Sequence, residues 1–109
     1  MKTYQVAISE EARQNLKEII GYIRRADSDA KAKYVRTEVL KLVRSLVKLP
    51  NRHPTLLVSE ASGLTYRYVP NKFKVKIIYH VEEEQTQQVI VVRMYHDRQS
   101  LKELKKQLP

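Results

Sequence analysis

The sequence contains no cysteine, which excludes disulfide bonds, thiolate nucleophiles and zinc sites built from cysteine ligands. Histidine is scarce, and the three examples are His53, His80 and His96. None of them has the i,i+4 or carboxylate-flanked spacing that is typical of a helical metal site. We therefore expect neither a metal ion nor another cofactor.

Long apolar segments are also missing from the chain. No run approaches the roughly 18 apolar residues that a membrane-spanning helix needs, and the first residues, Met1 to Val6, contain no apolar signal core. A length of 109 residues suffices for one compact domain and not for two. We expect a single domain over residues 1–109 that is soluble, cytoplasmic and free of membrane contact.

Negative charge is in short supply. Lys and Arg total 21 against 12 for Asp and Glu, which gives a formal charge of +9. Residues 61–81 contain no acidic side chain, although Arg67, Lys72, Lys74 and Lys76 lie among them. Such a surface attracts polyanions or acidic proteins over long distances, or it simply keeps the protein in solution.

The first half of the sequence predicts a strand followed by two helices. Thr3 to Ile8 alternates as a strand does, and Ser9 is suited to cap a helix that ends near Arg25. Asp27 to Asp29 provides a turn, after which apolar residues recur at helical spacing until Pro50. The short connection favours an antiparallel helical hairpin packed on a sheet.

The second half predicts strands. A weak strand region from Leu56 to Val69 contains a turn at Gly63, and two strong alternating segments follow, at residues 74–81 and 89–99. Residues 82–87 are too few for a parallel crossover, so the two strong strands should form an antiparallel hairpin.

After the strands, Ser100 to Glu103 matches a capping box, which predicts a short terminal helix reaching Leu108. The expected fold is therefore α+β. An N-terminal strand and an antiparallel helical hairpin pack on one face of a small, mainly antiparallel sheet, with a short C-terminal helix.

Alternation in the two strong strands predicts which side chains face the helices. In the first strand the apolar set is Phe73, Val75, Ile77, Tyr79 and Val81. In the second, the better core set is Ile90, Val92 and Met94, with Val89 and Val91 on the other side. The residues that remain should share an open face, and they are Lys74, Lys76, Arg93 and Tyr95.

Arg67 joins this surface if its neighbours Tyr66 and Tyr68 point inward. Cations beside aromatic rings are typical of nucleic-acid binding, because cations hold phosphates and rings stack on bases. The alternative is that the rings belong to the core and the lysines are merely solvated. The predicted target or nucleic-acid contacts are Arg67, Lys74, Lys76 and Tyr95.

The triplet His96-Asp97-Arg98 is the most enzyme-like segment. A histidine acts as general base or acid near neutral pH, and a nearby cation such as Arg93 or Arg98 stabilises a pentavalent phosphate. These groups suffice for metal-free cleavage of RNA by its own 2′-hydroxyl. In the alternative reading Asp97 pairs with Arg98, and His96 closes the core.

The order of these segments resembles the RelE/ParE superfamily of type II toxin–antitoxin toxins. The resemblance covers nearly the whole chain and rests on Ile8-Ser9-Glu10-Glu11-Ala12, Leu16 to Ile23, a second helix closing at Leu49-Pro50, Tyr66-Arg67-Tyr68, Phe73 to Val81 and Val91 to Gln99. Its ending is similar to the histidine-x-arginine-glutamine ending of ParE-like, plasmid-stabilisation members.

The resemblance implies a toxin that inhibits bacterial growth until a cognate antitoxin neutralises it. ParE-like members poison DNA gyrase, whereas RelE-like members are ribosome-dependent messenger-RNA endonucleases. The terminal helix here has no tyrosine, and Asn71-Lys72 stands where a RelE-like member would have an arginine. These departures favour the ParE-like subgroup.

Two alternatives remain open. A RelE-like nuclease would use His96 as base or acid, with Arg93 and Arg98 as phosphate stabilisers. A non-toxic remnant would keep only antitoxin binding. The implied partners are an antitoxin with an acidic toxin-binding segment, in a hetero-oligomer, and either DNA gyrase or the translating ribosome with its messenger RNA.

Overall fold

The computed structural model describes residues 2–83 and 86–96. These residues form, in chain order, β1 (Gln5–Ile8), α1 (Glu10–Ala26), α2 (Asp29–Arg44), β2 (Thr55–Val58), β3 (Thr65–Val69), β4 (Val75–Glu82) and β5 (Gln88–His96). Two 3-10 turns, Ser45–Val47 and Pro50–Arg52, connect α2 to β2. The terminal helix predicted from Ser100 to Leu108 lies outside the described residues.

The five strands form one mixed sheet in the order β1-β5-β4-β3-β2. β1 runs parallel to β5, and every other neighbouring pair is antiparallel. The predicted α+β fold and the β4–β5 hairpin are confirmed. The weak strand region between residues 56 and 69 is two strands, β2 and β3, because the turn near Gly63 reverses the chain.

The first helix begins where the sequence predicts. The Ser9 hydroxyl accepts a hydrogen bond from the Ala12 N–H at 3.0 Å, and it donates one to the Val92 carbonyl, also at 3.0 Å. Glu10 and Glu11 occupy the first turn, where the helix dipole favours negative charge. Ser9 therefore fixes both the start of α1 and its position against β5.

One face of the sheet carries both α1 and α2. The helices contribute the residues that pack there, namely Ala12, Leu16, Ile19, Ile20, Ile23, Ala32, Val35, Val39 and Val43. The strands contribute Val69, Val75, Ile77, Tyr79, Val89, Val91 and Met94. We call this set the helix-side core, and it confirms the predicted inward set of β4.

A β-bulge changes the alternation of β5. Tyr79 lies opposite Val91, but the preceding residue, Ile78, lies opposite Arg93, so β5 contains one extra residue at this point. The prediction that Ile90 and Val92 face the helices is therefore wrong. The residues that face the helices are Val89, Val91 and Met94, whereas Ile90 and Val92 lie on the opposite face.

The face opposite the helices, called the far face below, is not the open surface that the sequence suggests. It carries a second apolar cluster of four buried residues, which are Tyr66, Ile78, Val92 and Tyr95. Three partly buried leucines pack against them, Leu56 and Leu57 from β2 and Leu64 from the turn that follows. Tyr95, which the sequence assigns to contact with a target, thus contributes to packing.

Candidate functional site

The far face brings together three of the predicted site residues. Lys76 lies opposite Tyr95 in the register of β4 and β5, and Arg93 lies opposite Ile78. Because residues directly opposite each other share a face of the sheet, Lys76, Arg93 and Tyr95 lie on one side. The predicted grouping of these three is confirmed, and their role in binding stays a prediction.

Tyr95 is more buried than a residue that contacts a partner at the surface would be. Its side chain is 4% exposed. Burial raises the pKa of the Tyr95 hydroxyl, and the positive charge of Arg93 partly offsets that rise. Arg93 also lies 3.9 Å from a carboxylate oxygen of Glu11 at the start of α1. This end of the far face is a partly buried polar group rather than a row of free cations.

Lys74 and Arg67 do not extend that group. Lys74 has a φ of 62°, which interrupts the strand alternation just before β4 begins, so the parity argument does not apply to it. Arg67 lies opposite Tyr79 of the helix-side core and donates a hydrogen bond to the His53 carbonyl at 2.8 Å. The expectation that Arg67 shares the face of Lys76 is wrong.

Arg67 instead helps to hold the segment between α2 and β2. The Tyr79 hydroxyl donates a hydrogen bond to the Pro50 carbonyl, and the His53 ring meets the Tyr79 ring edge-on at 6.2 Å. Burial raises the pKa of Tyr79 to about 12, although the charges of Arg67 and Arg52 lower it. Tyr79 is therefore a neutral hydrogen-bond donor at physiological pH.

His96 faces the helices rather than the far face. It lies opposite Val75 of the helix-side core, and its ring packs on Tyr22 of α1 with the centroids 5.7 Å apart. Arg93, by contrast, lies opposite Ile78 of the far-face cluster. The two side chains thus start from opposite faces of β5, although the Arg93 guanidinium extends to Glu11 at the start of α1. Arg98, the other predicted phosphate stabiliser, lies outside the described residues, as does Asp97.

The other two histidines are structural in their surroundings. His80 is 6% exposed, and its ring meets Tyr66 edge-on on the far face. Burial lowers the pKa of His80, and burial likewise lowers the pKa of His53. Both residues are therefore held neutral at physiological pH. Within residues 2–83 and 86–96 no group of His, Cys, Asp or Glu side chains could hold a metal ion.

A basic groove between α1 and α2 is a feature that strand parity does not predict. Its volume is about 410 Å³, and apolar side chains of both helices and of β1 form its floor. The rim carries four cations, Arg13, Lys17, Arg24 and Arg36. Arg24 is paired with Asp29 at 2.8 Å, but the other three have no acidic partner within the described part of the chain.

A second concavity, the α1–β5 cleft, lies on the other flank of α1. Its volume is about 210 Å³, and His96 lies at the end of β5 that lines it. The α1 residues that line it are spaced three and four apart, which places them on one stripe of the helix: Asn15, Glu18, Ile19 and Tyr22. The same spacing is visible in the sequence, although only the structure shows that β5 completes the cleft.

Neither described helix is long and apolar enough to cross a bilayer. A search of curated proteins gives no match. Among solved structures, the chain is similar to the "Chromosomal ParDE TA system from P. aeruginosa", with a TM-score of 0.68 and 14% identity over 88% of this chain and 98% of that chain. At this identity the likeness shows the fold alone.

The sequence supplies the stronger relationship. A family model described as "ParE toxin of type II toxin-antitoxin system, parDE" matches residues 6–101, which is most of the chain. The likeness to the solved ParDE structure agrees with this family at the level of the fold. This chain belongs to the ParE toxin family of type II toxin–antitoxin systems.

Proposed function

We propose that this protein inhibits bacterial growth by binding DNA gyrase and that a cognate antitoxin holds it inactive. Membership of the ParE family supports the toxin role. The observation that favours binding over RNA cleavage is the separation of the His96 ring from the Arg93 guanidinium. A general base and a phosphate-stabilising cation must reach the same phosphodiester. The His96 ring packs on Tyr22, whereas the Arg93 guanidinium lies near Glu11, which is roughly 16 Å away along α1.

The antitoxin site that we propose is the basic groove between α1 and α2. An apolar floor with a cationic rim suits an amphipathic segment that has apolar residues on one side and acidic residues at its edges. Arg13, Lys17 and Arg36 would then gain the acidic partners that the described chain does not give them. Complementary charge also speeds the encounter of the two proteins, which suits an inhibitor that must capture a toxin quickly.

The test is to induce the protein without its antitoxin and to measure three quantities in the same cells. These are growth rate, supercoiling of a reporter plasmid, and cleavage of messenger RNA inside translating ribosomes. Purified protein is then added to purified gyrase in a supercoiling assay. We expect growth to stop, supercoiling to fall in both assays, and messenger RNA to stay intact.

Other outcomes would overturn the proposal in different ways. Codon-specific cleavage with normal supercoiling would establish the nuclease alternative, and loss of that cleavage in His96→Ala would assign the base. Normal growth during induction, with antitoxin binding intact, would identify a non-toxic remnant. An antitoxin that binds with equal affinity after charge reversal in the groove would remove the groove as its site.

A further inference from the structure

The α1–β5 cleft carries negative charge in a protein that is otherwise strongly basic. Glu18 lies at its rim and is exposed to solvent. Within the described residues Glu18 has no cationic partner, and its one polar contact is a long hydrogen bond of 3.4 Å from the Gln14 amide. Among the described residues, Glu18 is therefore a carboxylate with no cationic partner of its own.

The other walls of the cleft are aromatic and apolar. Tyr22 and His96 contact each other through their rings, with an interplanar angle of 56°. Ile19 and Met94, which are 8% and 1% exposed, belong to the helix-side core and form the base. Asn15 is held in place because its side-chain oxygen accepts a hydrogen bond from the Met94 N–H at 3.1 Å. The cleft is therefore preorganised by groups on two packed elements.

Size and charge restrict what can bind there. The cleft volume of about 210 Å³ is below the roughly 300–1,000 Å³ of pockets that enclose drug-sized ligands, so one side chain is a better fit than a nucleotide. A phosphate group would meet the Glu18 carboxylate and be repelled. A cation would gain an ion pair with Glu18 and favourable contact with the face of the Tyr22 ring.

We propose that the α1–β5 cleft binds an arginine side chain presented by the toxin's protein target. A guanidinium is planar and stacks on rings such as those of Tyr22 and His96, and its fork of donors matches the two oxygens of the Glu18 carboxylate. An ammonium group shares only the charge. The statement that the target presents this arginine rests on the proposed function. The statement that the cleft binds a guanidinium does not.

The experiment uses small probes, so it does not depend on knowing the target. Nα-acetyl-arginine methylamide is titrated into isotopically labelled toxin, and backbone amide shifts are followed by NMR. The matched probes are the lysine derivative and the citrulline derivative, which is uncharged and has nearly the shape of arginine. The matched variants are Glu18→Gln in the cleft and Glu10→Gln at the exposed start of α1, which changes the charge equally.

We expect the arginine probe to shift amides near Glu18, Tyr22 and His96, with a dissociation constant on the order of 1–10 mM, since one side chain supplies only a few contacts. Citrulline and the Glu18→Gln variant should each weaken binding up to about fivefold, because each removes one charge of an exposed pair. Lysine should bind more weakly than arginine, and Glu10→Gln should bind arginine within about twofold of the parent.

Equal binding of arginine and citrulline would overturn the proposal, as would binding that is unchanged in Glu18→Gln. Shifts confined to other parts of the protein would overturn it too. The supercoiling assay gives the separate answer for the target. The protein could bind the arginine probe through Glu18 and yet leave gyrase active. That result would support the cleft as an arginine site and would show that gyrase is not the protein that presents the arginine.

Discussion

The two flanks of α1 differ in charge although they belong to the same helix. On one flank, Arg13 and Lys17 border the basic groove that α2 completes. On the other, Glu18 and Tyr22 border the cleft that β5 completes. At about 100° per residue, these two stripes lie on opposite sides of the buried stripe that contains Leu16.

The difference teaches that one short helix can separate two binding chemistries. The buried stripe of α1 holds the helix on the sheet. Residues on the two flanks are therefore not all required for packing. The charge of each flank comes mainly from α1 itself, with Arg13 and Lys17 on one side and Glu18 on the other, while α2 and β5 complete the two concavities. A basic protein can therefore offer an acidic partner and a basic side chain separate sites.

Reversing charge on the groove flank should change antitoxin affinity more than any other substitution considered below changes its own readout. The double variant Arg13→Glu, Lys17→Glu should weaken antitoxin binding roughly 100-fold, because like charges then oppose the acidic segment. Binding of the arginine probe to the cleft should stay within about twofold. Both affinities are measured by titration, the first calorimetrically and the second by NMR.

The matched control for that variant is Lys48→Glu, Lys72→Glu, which makes the same change in net charge at exposed positions outside the groove. It should lower antitoxin affinity only through the long-range field, and 0.5 M salt should remove most of that effect. A control that weakens binding as much as the groove variant would show that net charge, and not the groove, recruits the antitoxin.

The elements of the fold could be predicted from the sequence because their signals are local. Ser9 and Ser28 cap helices through bonds to the third residue beyond each, and apolar residues recur at helical spacing. Alternation also predicted the inward set of β4. It failed in β5, where the extra residue opposite Ile78 reverses the faces of all earlier positions, and no turn residue marks that bulge.

The site was less predictable because it depends on which elements become neighbours. Arg67 looked like a surface cation until the strand register placed it opposite Tyr79, with its guanidinium bonded to the His53 carbonyl. Glu18 and His96 lie far apart in sequence, and only the packing of α1 on β5 brings them to one cleft. Long-range pairing of this kind has no local sequence signal.

Removing one side chain from each flank should change the free energy of unfolding by different amounts. Asn15→Ala should lower the free energy of unfolding by about 1–3 kcal/mol, since the buried Met94 N–H loses its acceptor. Arg13→Ala, on the exposed groove flank, should change it by less than about 0.5 kcal/mol. Urea denaturation measures both values.

Asn15→Asp is the control for that pair, because its carboxylate can still accept the Met94 N–H and should retain most of the stability. Equal stability of Asn15→Ala and Arg13→Ala would contradict the view that the cleft flank is fixed by β5 while the groove flank is not.

The most direct test of separate sites is the affinity of the arginine probe for the intact toxin–antitoxin complex. Antitoxin seated in the basic groove leaves Glu18, Tyr22 and His96 in place on the other flank. We therefore predict a dissociation constant within about twofold of that measured for free toxin. Loss of probe binding in the complex, with Glu18-dependent binding in the free toxin, would contradict the separation of the two flanks.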